Sequence, residues 1–124
     1  MENPAKCELC FPESVLAENE LAYARPDSHS LSRGHALIVP KRHVASFFEM
    51  TPEEQRAVVD LLRETQRLVE AKHSPDGYNI GVNVGAAAGQ SRMHVHVHLI
   101  PRYLGDVENP KGGVRCVLAR TRAE

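Results

Sequence analysis

Histidine recurs at every second position of His94-Val95-His96-Val97-His98, just ahead of Leu99-Ile100-Pro101. In an extended strand successive side chains face opposite ways, so this spacing predicts three imidazoles on one face and Val95, Val97 and Leu99 on the other. Rings on one face would stand about 6.5–7 Å apart along the strand, close enough for one phosphate or one metal ion to touch two or three of them. Neutral imidazole is a good nucleophile near neutral pH, and its neighbours can donate to phosphate oxygens or carry a proton. Alternating strand histidines can also chelate a catalytic zinc or iron. No carboxylate lies between Gly77 and Pro101, so a histidine/carboxylate metal site would need a distant ligand such as Asp27.

Two further groups could do chemistry. Gly85-Ala86-Ala87-Ala88-Gly89-Gln90-Ser91 leads into the histidine run, and its glycines and small side chains let backbone amides approach an anion closely. Cys7 and Cys10 have the two-residue spacing of a metal clip, with a redox pair or two ordinary thiols as the other readings. The odd count of three cysteines does not describe a disulfide framework, and Cys116 alternates with Val114 and Leu118 as a space-filler would. His29 and His73 sit in polar company and are expected to face solvent without a role.

The elements that must position these groups can be read from patterning. Val15-Leu16-Ala17 and Leu21-Ala22-Tyr23-Ala24 flank the polar turn Glu18-Asn19-Glu20 as a hairpin would. His35-Ala36-Leu37-Ile38-Val39 is a compact apolar strand closed by Pro40. Thr51-Pro52-Glu53-Glu54 combines an N-cap, a proline at the first helical position and a capping-box glutamate. The helix that follows carries an apolar stripe of Val58, Leu61, Leu62, Leu68 and Val69, and Ser74-Pro75-Asp76-Gly77 ends it. Tyr78 to Val84 alternates as a strand, and Val114 to Ala119 is a further strand expectation after a loop from Gly105 to Gly113. Strands before and after one substantial helix predict an α+β fold with a mostly antiparallel sheet.

Composition narrows the classes of function. The 124 residues fit a single domain spanning 1–124, 42% are hydrophobic, and the formal net charge is -1. That balance disfavours nucleic acid as a partner, since no broad basic surface is available. No apolar run approaches the roughly 20 residues of a membrane span, and no basic-then-apolar leader opens the chain, so no membrane partner and a cytoplasmic location are expected. Arg102, Lys111, Arg115, Arg120 and Arg122 give the C-terminal region a basic lean that could meet distal phosphates of a substrate.

The histidine run, with Gly89-Gln90-Ser91 before it and Pro101-Arg102 after it, resembles the histidine-triad (HIT) superfamily of nucleotide hydrolases and transferases. Ser32-Arg33-Gly34-His35-Ala36-Leu37-Ile38-Val39-Pro40-Lys41-Arg42-His43 and Asn83-Val84-Gly85 resemble two further segments of that family. The resemblance implies the HIT fold: a mostly antiparallel five-stranded sheet with one long and one short helix, pairing into a homodimer. It implies that His96 attacks the α-phosphorus of an adenine nucleotide to form a covalent nucleotidyl-imidazole, with His98 donating to the α-phosphate. Gln90 and Ser91 would hold its non-bridging oxygens beside Gly89, with Asn83 near the ribose or the scissile bridge. His35 would orient the triad, Asp27 would bind ribose hydroxyls, and His94 would serve the leaving group. By resemblance to members with a similar clip, Cys7, Cys10, His43 and His94 would hold a structural zinc, which would make His94 a poor acid. The link from Gly105-Asp106 to Gly112-Gly113-Val114-Arg115 resembles bacterial members that hydrolyse diadenosine polyphosphates, so a dinucleoside polyphosphate is the expected substrate. An AMP-lysine-type phosphoramidase, a phosphorylase using phosphate in place of water, and a non-catalytic nucleotide-binding module are the alternatives.

Overall fold

The computed structural model describes residues 3–118. Five strands, β1 (Ala17–Glu18), β2 (Ala22–Pro26), β3 (Ala36–Pro40), β4 (Gly77–Val82) and β5 (Val97–Arg102), form one sheet in the order β1-β2-β3-β5-β4. Every neighbouring pair is antiparallel, and β5 lies between β3 and β4. The expected α+β fold with an antiparallel five-stranded sheet is therefore the one observed.

The first hairpin turns where the polar residues predict. Asn19 Oδ1 accepts from the amides of Leu21 and Ala22 at 3.1 and 2.9 Å, the side-chain bond that makes asparagine a turn former. The helix α1 (Pro52–His73) begins at Thr51, whose hydroxyl accepts from the Glu54 amide while the Glu54 carboxylate accepts from the Thr51 amide. Val58, Leu61 and Val69 are buried against the sheet with Ala24, Ile38, Val97 and Leu99. Leu68, counted in the expected stripe, is 47% exposed, and the buried position on that turn is Thr65. Among the described residues no helix is long and apolar enough to cross a membrane.

Two expectations fail. Val114 to Val117 belongs to a 3-10 turn (Gly113–Val117), not to a strand, and Ala119 lies outside the described residues. Val114 and Val117 are exposed there, so the apolar alternation has no buried face. Cys116 accordingly lies half-buried on that turn. Among the described residues the expected short helix takes the form of 3-10 segments, such as Phe47–Glu49.

The sheet has two faces with different fates. Ile38 of β3 joins the helix-covered core, whereas Leu37 and Val39 turn the other way onto Cys7, Leu9 and Tyr23. Cross-strand register aligns Arg25, Leu37, His98 and Gly81 in one row across β2, β3, β5 and β4 on that second face. The N-terminal segment is fastened over part of this face by the Tyr23 hydroxyl, which donates to the Leu9 carbonyl at 2.5 Å. The loop preceding β3 is pinned from behind. Gly34 has φ +86°, and a Cβ on it would lie 2.9 Å from His73 Cδ2 and 3.0 Å from Val69 Cγ1, so only glycine fits. His73 is thus a half-buried packing partner of that loop, not the solvent-facing residue expected.

Candidate active site

The histidine run does not behave as one uniform strand. His94 lies in a bend, His96 follows in extended chain, and only His98 is within β5. Val95, Val97 and Leu99 are buried on the core side as alternation predicts. The three rings, however, divide between two places. His96 and His98 are neighbours with ring centroids 5.2 Å apart, while His94 is fully buried with its ring 4.9 Å from that of His43.

Protons can be placed from backbone partners, because a carbonyl only accepts and an amide only donates. His96 Nδ1 is 2.9 Å from the His94 carbonyl, so Nδ1 carries the proton and Nε2 keeps the basic lone pair. The Leu31 amide donates to His35 Nδ1 at 3.0 Å, which puts the His35 proton on Nε2. That Nε2–H faces His98 Nδ1 at 3.0 Å and Asp27 Oδ2 at 3.2 Å. His98 Nδ1 then accepts, and neutral His98 holds its proton on Nε2. Burial lowers the pKa of His35 against the opposing pull of Asp27. Burial, then His96 and His35, lowers that of His98, again against Asp27. Both rings are therefore biased toward the neutral form.

His96 and His98 line a cleft of about 450 Å³ together with Asp27, Asn83 and Ser91. Five of the residues expected at the site are thus brought together, and His35 stands behind them. Three are not. Gly89 does not line the cleft. Gln90 is buried, its Oε1 accepting from the Gly85 amide at 2.9 Å and its Nε2 donating to the carbonyls of Ala45 and Arg92 at 2.7 and 2.9 Å. Its side chain closes the loop and has no group turned to a phosphate, which corrects the expected role. His94 likewise cannot serve a leaving group from the core: its Nε2–H donates to the Pro40 carbonyl at 2.8 Å. Among the described C-terminal cations, Arg102, Lys111 and Arg115 do not line the cleft either. Arg102 is held by Asp106 at 2.8 and 2.9 Å and by Asn79 at 2.7 Å, and Arg120 and Arg122 lie outside the described residues. The cations that do line it, Arg25 and Arg92, were missed, as were Glu8, Leu9 and His29. Register could have found Arg25, which shares a row with His98.

The second cluster is a candidate metal centre. His94 Nδ1, left with its lone pair, is 3.4 Å from both Cys7 Sγ and Cys10 Sγ, and His43 Nδ1 is 3.2 Å from Cys10 Sγ. Ligating atoms of all four residues lie within 4.8 Å of one another, so the cluster could hold a metal ion. The donor chemistry fits: two sulfurs, two imidazoles and a carbonyl receiving the outer N–H of His94, the arrangement that orients a histidine ligand. His43 is positioned by its neighbour Arg42, which grips the buried Glu54 carboxylate through Nε and Nη2 at 2.9 and 2.8 Å. That pairing holds Glu54 down to about 2. Asp27, His35 and His98 are also close enough to surround an ion. There, however, His35 Nδ1 accepts a hydrogen bond from the Leu31 amide, so the ring proton sits on Nε2, which has no lone pair to give.

An uncharacterized HIT-like protein of Methanocaldococcus jannaschii is 41% identical over 103 residues, covering 83% of this chain and 79% of its own. A bis(5'-nucleosyl)-tetraphosphatase (asymmetrical) of Schizosaccharomyces pombe is 40% identical over 98 residues, 77% of this chain and 54% of its own. An AP-4-A phosphorylase of Mycobacterium tuberculosis is 33% identical over 93 residues, 74% of this chain and 48% of its own. The chain therefore spans only about half the length of the two relatives with named activities. Among solved structures, a Zn-bound histidine triad family protein from Mycobacterium smegmatis superposes with TM-score 0.75 at 29% identity, covering 84% of this chain and 80% of that one. The HIT domain matches residues 9–105, a span that holds the sheet, the helix and the histidine run, and the chain belongs to the HIT domain family.

Proposed function

We propose that the protein is a nucleotide hydrolase or transferase that cleaves at the α-phosphate of an adenine nucleotide derivative through a covalent nucleotidyl-His96 intermediate. The observation that carries this reading is the fixed tautomer of His96, whose Nδ1–H is spent on the His94 carbonyl so that the basic Nε2 remains available in the cleft. In the first step Nε2 bonds to the α-phosphorus, and the bond to the bridging oxygen breaks with its electron pair leaving on that oxygen. The His98 Nε2–H donates to the non-bridging oxygens, with Ser91 as a further donor on the cleft wall. Asp27 retains acceptor capacity for ribose hydroxyls beside its bonds to His35 and to the His29 amide. In the second step a water oxygen bonds to phosphorus, the P–N pair returns to Nε2, and a water proton passes to solvent.

Dinucleoside polyphosphates are the substrate class in this reading, supported by the named tetraphosphatase and phosphorylase among the relatives. Those two names differ in the acceptor, so water and phosphate are compared directly. Zinc is the metal assigned to the Cys7, Cys10, His43 and His94 cluster, where a full Cys2His2 shell would serve structure and leave no open position. The reading includes a homodimer, for which the edge strand β4 with its exposed Ile80 offers a surface. Intact-mass measurement after rapid quenching with diadenosine tetraphosphate should give a nucleotidyl adduct on the wild type and none on His96→Ala, with kcat reduced at least about 1,000-fold in the variant. Product analysis with and without inorganic phosphate identifies the acceptor. An adduct persisting without His96 would remove it from the nucleophile's role.

A further inference from the structure

Cleaving a phosphoanhydride leaves negative charge on the bridging oxygen, and the histidine on the N-terminal flank of the run is not available to meet it. His94 is fully buried and its Nε2–H is spent on Pro40. Arg102 is neutralised by Asp106. Arg92 occupies the flank that His94 vacates. It lines the cleft that holds His96 and His98 and also an adjoining chamber of about 500 Å³ that none of the triad touches. Its backbone carbonyl is fixed by Gln90, and its guanidinium lies 3.2 Å from Glu8, with both side chains substantially exposed at 39% and 60%. Glu8 belongs to the turn between Cys7 and Cys10, so the clip that holds those cysteines also presents the counter-ion.

We propose that Arg92 binds the leaving polyphosphate, with Glu8 as its counter-ion in the free protein, and thereby sets a preference for substrates that release a polyphosphate over those that release an amine. This rests on His96 as the nucleophile and deepens that reading. An exposed ion pair in water is weak and is readily exchanged. A polyphosphate offers several oxygens to one planar guanidinium, in two parallel charge-assisted bonds, where Glu8 offers one contact. An amine leaving group carries no negative charge and gives Arg92 nothing to hold.

The test compares kcat/KM for diadenosine tetraphosphate and for an adenosine phosphoramidate of a small amine. Arg92→Ala should lower the first about 30-fold, the size of one lost charge-assisted contact, and the second less than about 3-fold. Arg92→Lys should recover part of the loss, and Glu8→Gln should lower KM for the tetraphosphate by about 2- to 5-fold, a larger change than for the phosphoramidate. Calorimetric titration with inorganic tripolyphosphate gives a readout without turnover, in which Arg92→Ala should weaken binding by about 10-fold or more. Equal losses on both substrates, or tripolyphosphate binding unmoved by Arg92→Ala, overturn the assignment. If His96 forms no adduct, the tripolyphosphate titration still decides whether Arg92 is a polyphosphate site.

Discussion

Two side-chain clusters lie close together in this fold, each built around two histidines, and they are organised in opposite senses. In the cluster of Cys7, Cys10, His43 and His94, the Pro40 carbonyl takes the outer N–H of His94 and leaves its lone pair pointing at two sulfurs. In the cluster of Asp27, His35 and His98, the Leu31 amide donates inward, so N–H groups and lone pairs alternate along the chain Leu31 to His35 to His98. The first gathers lone pairs, which is what a cation needs. The second passes a fixed proton position outward to a cleft, which is what a phosphate donor needs. His94 and His98 are four residues apart and differ in role because a carbonyl fixes one and a backbone amide, acting through His35, fixes the other.

The widest separation between the clusters should be seen on replacing the thiols. Cys7→Ser and Cys10→Ser should each abolish stoichiometric metal by elemental analysis and lower Tm by about 10 °C, since ion binding to the folded state alone is folding free energy. His35→Gln should leave metal content unchanged and lower Tm by clearly less than the cysteine variants do, the effect of hydrogen bonds lost from a buried ring. A comparable fall in Tm from His35→Gln with retained metal would show that the second cluster is also a structural centre, and the distinction would fail.

The relay should reveal itself in turnover instead. His35→Gln removes the imidazole donor that fixes the His98 tautomer, so kcat on the nucleotide substrate should fall about 30-fold with KM changing little. Asp27→Asn keeps the shape of that contact and should cost less in kcat, about 5-fold, with a rise in KM from the weakened ribose contact. A loss confined to KM in His35→Gln would mean that His35 shapes the nucleoside pocket and does not hold a proton for His98.

Much of this arrangement was legible in the sequence, and the parts that were not share one physical cause. The helix start at Thr51 and the asparagine turn at Asn19 follow from local chemistry within a few residues, and the gathering of His96, His98, Asn83 and Ser91 is what the family resemblance implies. The Cys-x-x-Cys spacing pointed to two neighbouring thiols, and the fold brings them together with His43 and His94 as the resemblance implies. What failed depended on partners distant in sequence. Gln90 reads as a phosphate ligand until the carbonyl of Ala45 is found against its amide. Val114 to Val117 reads as strand until the chain there closes into a 3-10 turn that leaves both valines exposed. Arg92 carries no signal of its own in the sequence, because it is the folded N-terminal turn that brings Glu8 to it beside the cleft. Alternation assigns a face, and it says nothing of which backbone group waits for each side chain there.

The acid limb of folding stability gives the finest discrimination between the clusters. His35 and His98 have folded pKa values lowered from the ordinary 6.5, chiefly by burial. Below that value the unfolded chain takes up protons that the folded chain refuses, so the contribution of these rings is fully present above pH 6.5 and is lost as pH falls through their folded values. Asp27 opposes the shift in both rings. Asp27→Asn should therefore deepen the loss of stability between pH 7 and pH 5, and His98→Asn should make it shallower. Denaturant midpoints across that range, referred to the wild type at each pH, cancel the acid sensitivity of the cysteine cluster because its ligands are the same in all three proteins. The carboxylate of Glu54, held down to about 2, titrates below this window and does not confuse it. If Asp27→Asn and wild type lose stability in parallel, the carboxylate does not act on the buried imidazoles, and the second cluster would be a set of neighbours without a shared proton chain.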